Sequence, residues 1–182
     1  MGIDIHGFVE YRQKPDPKMN RSYAWQSYSA ELDLGRNYEI FGILGQVRGG
    51  NNTSICDGRG IPRDLGVYSK MAVHLKVVED NGYDGSYEAE RREVDRTDAE
   101  MWVSRGHSKW LDEGNGPVDK WVTDPDFHNH SWCTPHELEQ CLHGGFIEFS
   151  NMNNIDYSST LFLMKYIEAM ENEVRLVYWF DS

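Results

Sequence analysis

The sequence predicts an α+β fold: a small mixed or antiparallel sheet that includes both terminal strands, covered by three or four helices. Three stretches carry this expectation. MGIDIHGFVEYR alternates, with Ile3, Ile5, Val9 and Tyr11 on one side and Asp4, His6, Phe8 and Glu10 on the other. VRLVYWFD is apolar on both sides, as a central strand is. TPHELEQCLHGG carries a full set of helix signals: Thr134 as N-cap, Pro135 at the first helical position, Glu137 completing a capping box, and Gly144-Gly145 as the stop.

The remaining elements follow in order. RQKPDPKMNRS is a turn or loop punctuated by Pro15 and Pro17, and YAWQSYSAEL can pair back as a strand. RNYEIFGILGQVRGG reads as a helix, with Ile40, Phe41, Ile43, Leu44 and Val47 at helical spacing and Gly49-Gly50 at its end. NNTSICDGRGIPRDLG is a loop by composition. KMAVHLKVVE alternates at Met71, Val73, Leu75 and Val77, so it reads as a strand; DNGYDG reads as a turn and SYEAERREVD as the returning strand of a hairpin. TDAEMWVSRG carries Thr97 as N-cap, Glu100 three residues on and Gly106 at the end. LDEGNGPVDKWVTDPDFHNHSW reads as a long loop, and SSTLFLMKYIEAMENE as an amphipathic helix with Leu163, Met164, Ile167 and Met170 on one stripe. A chain of 182 residues fits one domain and is long enough to bury a core.

Composition narrows the partners. Eighteen Lys and Arg against 30 Asp and Glu give a formal net charge of −12, which repels phosphate backbones and argues against nucleic acid. Cys56, Cys133 and Cys141 show no CxxC spacing, which argues for a reducing compartment and against a disulfide framework. No apolar run approaches the roughly 18 residues of a membrane span, and no signal peptide is evident. His6 stands where a myristoylation signal needs Ser or Thr. The 10 Tyr, 7 Phe and 6 Trp can build a core or the walls of a site for a planar ligand.

The histidines and acids suggest two kinds of chemistry. Asp4 and His6 lie two residues apart on a strand, and His128 and His130 two apart in a loop. In extended chain such pairs point the same way. The four could meet at a divalent metal, or His6 and His130 could share general acid and base roles beside Asp4, with Glu10 as a further base. Equally, a His-x-His pair can do no more than hydrogen-bond backbone and water. Arg36, Asn37 and Tyr38 open a helix, where free N–H groups favour an anion, and Arg48 sits near its other end. In so acidic a chain Arg36 can as readily pair with a neighbouring carboxylate. Ser131 can bind a phosphate oxygen and Trp132 can stack on a ring. GRGIPRDLG offers Arg59, Arg63 and Asp64 without the spacing of a phosphate-binding loop. No nucleophile elbow, HExxH or kinase motif is present.

MGIDIHGFVEYR, RNYEIFGILGQVR, GRGIPRDL and HNHSWCTPHEL together resemble a group of small phage and bacterial proteins. That group runs M-G-x-D-I-H, then R-N-Y, then G-x-P-x-D, then H-S-x-S-W ahead of a Leu-rich helix. Ile3 replaces a frequent Cys, and Asn129 stands where Ser is usual. The resemblance covers about residues 1–65 and 126–142 and leaves an insertion at about 70–125. It implies a phage-type, cytoplasmic protein and marks Asp4, His6, Arg36, Asn37, Tyr38, Arg48, Pro62, Asp64, His130, Ser131 and Trp132. Three functions are therefore expected in order. The first is a binder of a nucleotide-like small molecule, a sponge for a host immune signal, of a kind often built as a symmetric oligomer. The second is a His/Asp-based hydrolase such as a phosphodiesterase, with or without a divalent metal. The third is a structural or interaction protein with no small-molecule site.

Overall fold

The alternation at the start of the sequence becomes a nine-residue strand in a computed structural model that describes residues 2–16, 18, 22–28, 31–47, 55–56, 58–79, 92–112, 116–143 and 155–181. In chain order the elements are β1 (Ile5–Gln13), β2 (Gln26–Ser27), β3 (Leu32–Asp33), α1 (Tyr38–Gly45), α2 (Val67–Val73), β4 (His74–Val78), β5 (Glu93–Asp95), α3 (Arg96–Ser104), β6 (Trp110–Asp112), β7 (Pro117–Thr123), β8 (Phe127–Cys133), α4 (Pro135–His143), α5 (Ile155–Ala169) and β9 (Asn172–Asp181). The fold is α+β, with the first and last strands in one sheet. The chain divides into two compact units, residues 1–69 with 128–182 and residues 70–127.

In the first unit β1 pairs antiparallel with β2, β3 and β9, and β9 also neighbours β8. The β1–β9 ladder runs from Ile5↔Phe180 to Gln13↔Asn172. With a neighbour on each side, β9 is central, and Val174 through Phe180 are all buried. Ile5 and Val9 with Leu176, Tyr178 and Phe180 face the helices α1, α4 and α5, and pack on Ile40, Phe41 and Leu44, on Leu138 and Cys141, and on Tyr157, Met164 and Ile167. The capping box of α4 forms as expected: Glu137 N donates to Thr134 Oγ1 (3.3 Å) and Thr134 N to Glu137 Oε2 (2.8 Å).

Helix α1 stops before Gly49-Gly50, a pair outside the described residues. It ends at Gly45, and Gln46 takes the left-handed conformation (φ 55°), so that Val47 N reaches back to the Phe41 carbonyl (3.3 Å). Gly45 itself is required by packing. A Cβ there would lie 2.6 Å from the Phe180 ring.

The second unit holds a sheet in the order β5-β4-β7-β6, with α3 packed on Leu75, Val77, Val94 and Val122 through Ala99. Three expectations change here. Met71 and Val73 belong to α2, and only Leu75 and Val77 of that alternation lie in a strand. β5 runs parallel to β4, so the two are no hairpin; β7 is the antiparallel partner of β4. The 14 residues between Val78 and Glu93 are long enough for the crossover a parallel pair needs. The DNGYDG turn falls at 80–85, outside the described residues. The N-cap of α3 is Asp95, which accepts from Thr97 N at 2.6 Å, and not Thr97. The stretch read as a long loop after residue 110 contains β6, β7 and β8.

Candidate functional site

The face of β1 turned away from the helices is not a solvated face. Phe8 is 4% exposed and Glu10 0%. Its residues fall into two groups, one at each end of the strand.

At the first end Arg36 grips both carboxylate oxygens of Asp4, through Nε and through Nη2 (2.7 Å). These hydrogen bonds hold the Asp4 carboxyl below its ordinary range. His6 lies between two further acids, with Nδ1 2.5 Å from Glu31 Oε1 and Nε2 3.1 Å from Asp181 Oδ2. The Glu31 hydrogen bond is the main cause that lifts the imidazole to about 9, against the opposing effect of burial and with help from Asp181. The ring also stacks on Trp179, 6.0 Å between centroids and 13° between planes. His6 is thus an imidazolium at neutral pH, donating from both nitrogens, and has no lone pair with which to take a proton. Asn37 caps α1, its Oδ1 accepting from Ile40 N at 3.2 Å. Tyr38 packs edge-on against Phe41. Arg48 lies outside the described residues.

The His-x-His pair does not share a side. Asn129 between them has φ 48° and donates through Nδ2 to the Gly45 carbonyl at 2.8 Å. His128 stacks on Phe180, toward the helices. Beyond the kink Ser131 and Cys133 are the buried residues, and Ser131 donates its hydroxyl to the Cys56 carbonyl. Alternation then puts His130 and Trp132 on the opposite face. Among the described residues, no three His, Cys, Asp or Glu side chains come together as a metal site, so Asp4, His6, His128 and His130 are not gathered.

At the second end the same face of the sheet carries an ion-pair network. Arg175, on β9 opposite Glu10, donates to Glu10 Oε2 from Nε (2.8 Å) and Nη2 (2.7 Å). Glu10 Oε1 accepts from Gly66 N at 2.7 Å. Arg175 also reaches Asp64 Oδ1 and the Asp64 carbonyl, both at 3.0 Å. Trp25 donates through Nε1 to Asp64 (2.9 Å) and lies under two guanidinium groups, Arg175 at 4.0 Å and Arg12 at 4.6 Å from the ring centre. For Asp64, burial pushes the carboxyl up, but Arg175 and Trp25 outweigh it and hold it low. Nearby, Arg59 lies over the Trp132 ring (4.5 Å) and pairs with Glu137, whose carboxyl is held at about 2 chiefly by that guanidinium.

A pocket of about 370 Å³ opens on this network, lined by Trp25 and Trp132, by Arg12, Lys14 and Arg175, and by Asp64, Glu168 and Glu173 among others. Arg12 is held by Glu173 (2.5 Å), while the Lys14 ammonium makes no ion pair among the described residues. Three cations face three carboxylates, in a chain with 30 acidic and 18 basic residues overall. The pocket is therefore richer in cations than the average surface, without being strongly positive.

Of the residues marked by sequence, Asp64 and Trp132 reach this pocket. Asp4, His6, Arg36, Asn37 and Tyr38 belong to the other end of β1. Along the ladder Glu10 and Arg175 lie four residues from His6 and Trp179, about 13 Å, and Arg12 lies six from His6, about 20 Å. Arg12, Lys14, Trp25 and Arg175 were not marked. One signal was available: an Arg in a strand apolar on both faces needs a buried carboxylate, and Glu10 is the acid that β1 can offer opposite it.

No protein-family model, no curated protein and no solved structure matches the chain. Among the described residues, no helix is long and apolar enough to cross a membrane.

Proposed function

We propose that the protein binds a nucleotide-like small molecule in the Trp25–Trp132 pocket and holds it without cutting it. The observation that carries this reading is the pairing of two tryptophans with Arg12, Lys14 and Arg175 around about 370 Å³. That volume lies at the small end for ligand sites and suits a mononucleotide-sized molecule. A planar base is suited to the tryptophan rings, and Lys14 and Arg12 offer donors to an anionic group. The balance of three cations and three acids favours a ligand with one or two negative charges over a polyphosphate.

Retention is favoured over hydrolysis because three of the groups expected to move protons are otherwise engaged. Asp4 is bound by Arg36, His6 is held protonated, and Glu10 is buried against Arg175 and Gly66. A cytoplasmic, phage-type setting rests on the sequence resemblance, and use of the binding as a sponge for a host immune signal on analogy with small phage proteins as a class.

The test is depletion and recovery. The protein is incubated with a panel of cyclic and linear mononucleotides and ADP-ribose derivatives, removed by filtration, and denatured. Ligand depleted from solution and recovered intact, with depletion abolished in Trp25→Ala and Lys14→Glu, is expected. Converted ligand would replace binder by hydrolase. No depletion of any compound would remove the small-molecule reading.

A further inference from the structure

We infer that the outer face of α5 is a dimerisation surface on which a second copy of this chain packs its own α5, antiparallel, about a two-fold axis at Phe162. The helix buries Tyr157, Thr160, Leu161, Met164 and Ile167 against its own unit. On the opposite side Ile155, Phe162 and Tyr166, with Met170 just past the helix end and off the buried stripe its spacing predicts, are 73%, 75%, 60% and 63% exposed. At about 100° per residue these four fall within roughly 80° of one another. The exposed residues on and directly beside this stripe are Ser159, Ala169 and Ser158. The face has no charged residue, although 26% of the chain is charged. A helix apolar on two sides is the pattern of one covered on two sides.

Three considerations select a second copy as the occupant. The first is area. Four side chains of roughly 200 Å² each, two-thirds exposed, present roughly 500 Å² per copy, so two copies bury roughly 1,000 Å², the lower bound for a specific interface. The second is self-complementarity. An antiparallel two-fold places Phe162 against its symmetry mate, Tyr166 over the partner's Ser158, and Ile155 over the partner's Ala169. On either side of the axial Phe162 pair a large residue meets a small one, as an isologous contact allows of a single surface. The third is charge. Two copies at −12 each repel, and a face free of carboxylates is where they approach at least cost. Lys165, at the rim, is taken by Glu139 of the same chain. Glu168 of the ligand pocket lies about 150° round the helix from the stripe, so each copy keeps its own pocket open.

Sedimentation velocity of the whole chain between 1 and 100 μM tests this, at 50 and 500 mM salt. The expected species shifts from 21.1 kDa toward twice that mass with concentration. Association should tighten at high salt, where repulsion between like-charged copies is screened. Phe162→Glu weakens it at least tenfold with an unchanged far-ultraviolet spectrum and urea midpoint, because the ring is 75% exposed. Phe162→Cys, on the axis, forms a disulfide-linked dimer in air, and Glu100→Cys, exposed on α3, does not. A monomer at 100 μM in both salts overturns the proposal, as does a dimer that Phe162→Glu and Tyr166→Glu leave intact or that high salt dissociates. A Phe162→Glu chain that unfolds as a monomer overturns it too, since the face would then be covered from within.

Discussion

Removing one charge of the buried Glu10–Arg175 pair is expected to cost more stability than removing both. The side chains are 0% and 7% exposed. Arg175→Ala leaves Glu10 buried with the Gly66 N–H as its remaining partner. Glu10→Ala leaves Arg175 with Asp64 and strips Gly66 of its acceptor. Breaking a buried pair from one side costs about 3–5 kcal/mol. Arg175→Ala belongs at the upper end, since no other cation reaches Glu10 among the described residues. Glu10→Ala belongs at the lower end, because Asp64 still neutralises Arg175. In Glu10→Met/Arg175→Met no charge is buried; the main remaining loss is the Gly66 N–H bond, about 1–3 kcal/mol. The double variant should therefore cost about 5–7 kcal/mol less than the two single variants summed. Urea unfolding followed by tryptophan fluorescence reads it, since Trp25 and Trp179 both belong to this unit. With a slope near 2 kcal/mol/M, the single variants should move the midpoint by about 1.5–2.5 M. Single variants that move it by less than about 0.5 M, or a double variant as unstable as the singles summed, would refute the reasoning.

Other expectations concern the ends of the strand and the helix caps. His6 is lifted from 6.5 to about 9, so its contribution is complete below about pH 6.5 and is lost as pH rises through 9. The full linkage would be about 3 kcal/mol, and screening at the half-exposed Glu31 reduces it to about 1–2 kcal/mol. The stability gap between the native chain and His6→Gln should therefore close between pH 6 and 10; a gap that widens would contradict the clamp. Glu137 is depressed to about 2, so its contribution is present above about pH 4.5 and fades toward pH 2. Glu137→Ala should cost about 1–2 kcal/mol at pH 7 through loss of the cap, and less at pH 2.5, by denaturant titration at each pH. Asn129→Ala should lose about 1–2 kcal/mol more than Asn129→Gly, because φ 48° is strained for a residue with a Cβ. Equal melting temperatures for the two would argue against the kink.

The elements that sequence rendered well are those whose signals are local. Period two gave β1, the double-sided apolar run gave β9, and Thr134, Pro135 and Glu137 gave α4. The stretch after residue 110 misled because Pro117, Pro125 and several Asp and Gly residues look like loop. Pro117 in fact opens β7, and Pro125 sits in the turn between β7 and β8. At Met71 and Val73 a helix passes directly into a strand, and alternation across the junction hides it. The site was less visible. Alternation places Glu10 away from the helices but cannot say that Gly66 comes to lie against it. Period two also fails at Asn129, whose left-handed backbone separates His128 from His130. Trp25, Asp64, Trp132 and Arg175 converge through tertiary structure, with no motif to announce them.

The β1–β9 ladder also dictates when this unit can fold. His6 and Asp181 are 175 residues apart, and Arg12 and Glu173 are 161. On a ribosome, β1 emerges and waits without its principal neighbour while the whole of residues 70–127 is made. The elements of that intervening unit lie near one another in sequence and can assemble during the wait. The first unit must instead close its longest loop last, so its nucleation is slow and its apolar strand stands open meanwhile. A stalled or truncated chain that lacks β9 would thus present β1 as an unpaired edge, a natural target for chaperones and proteases.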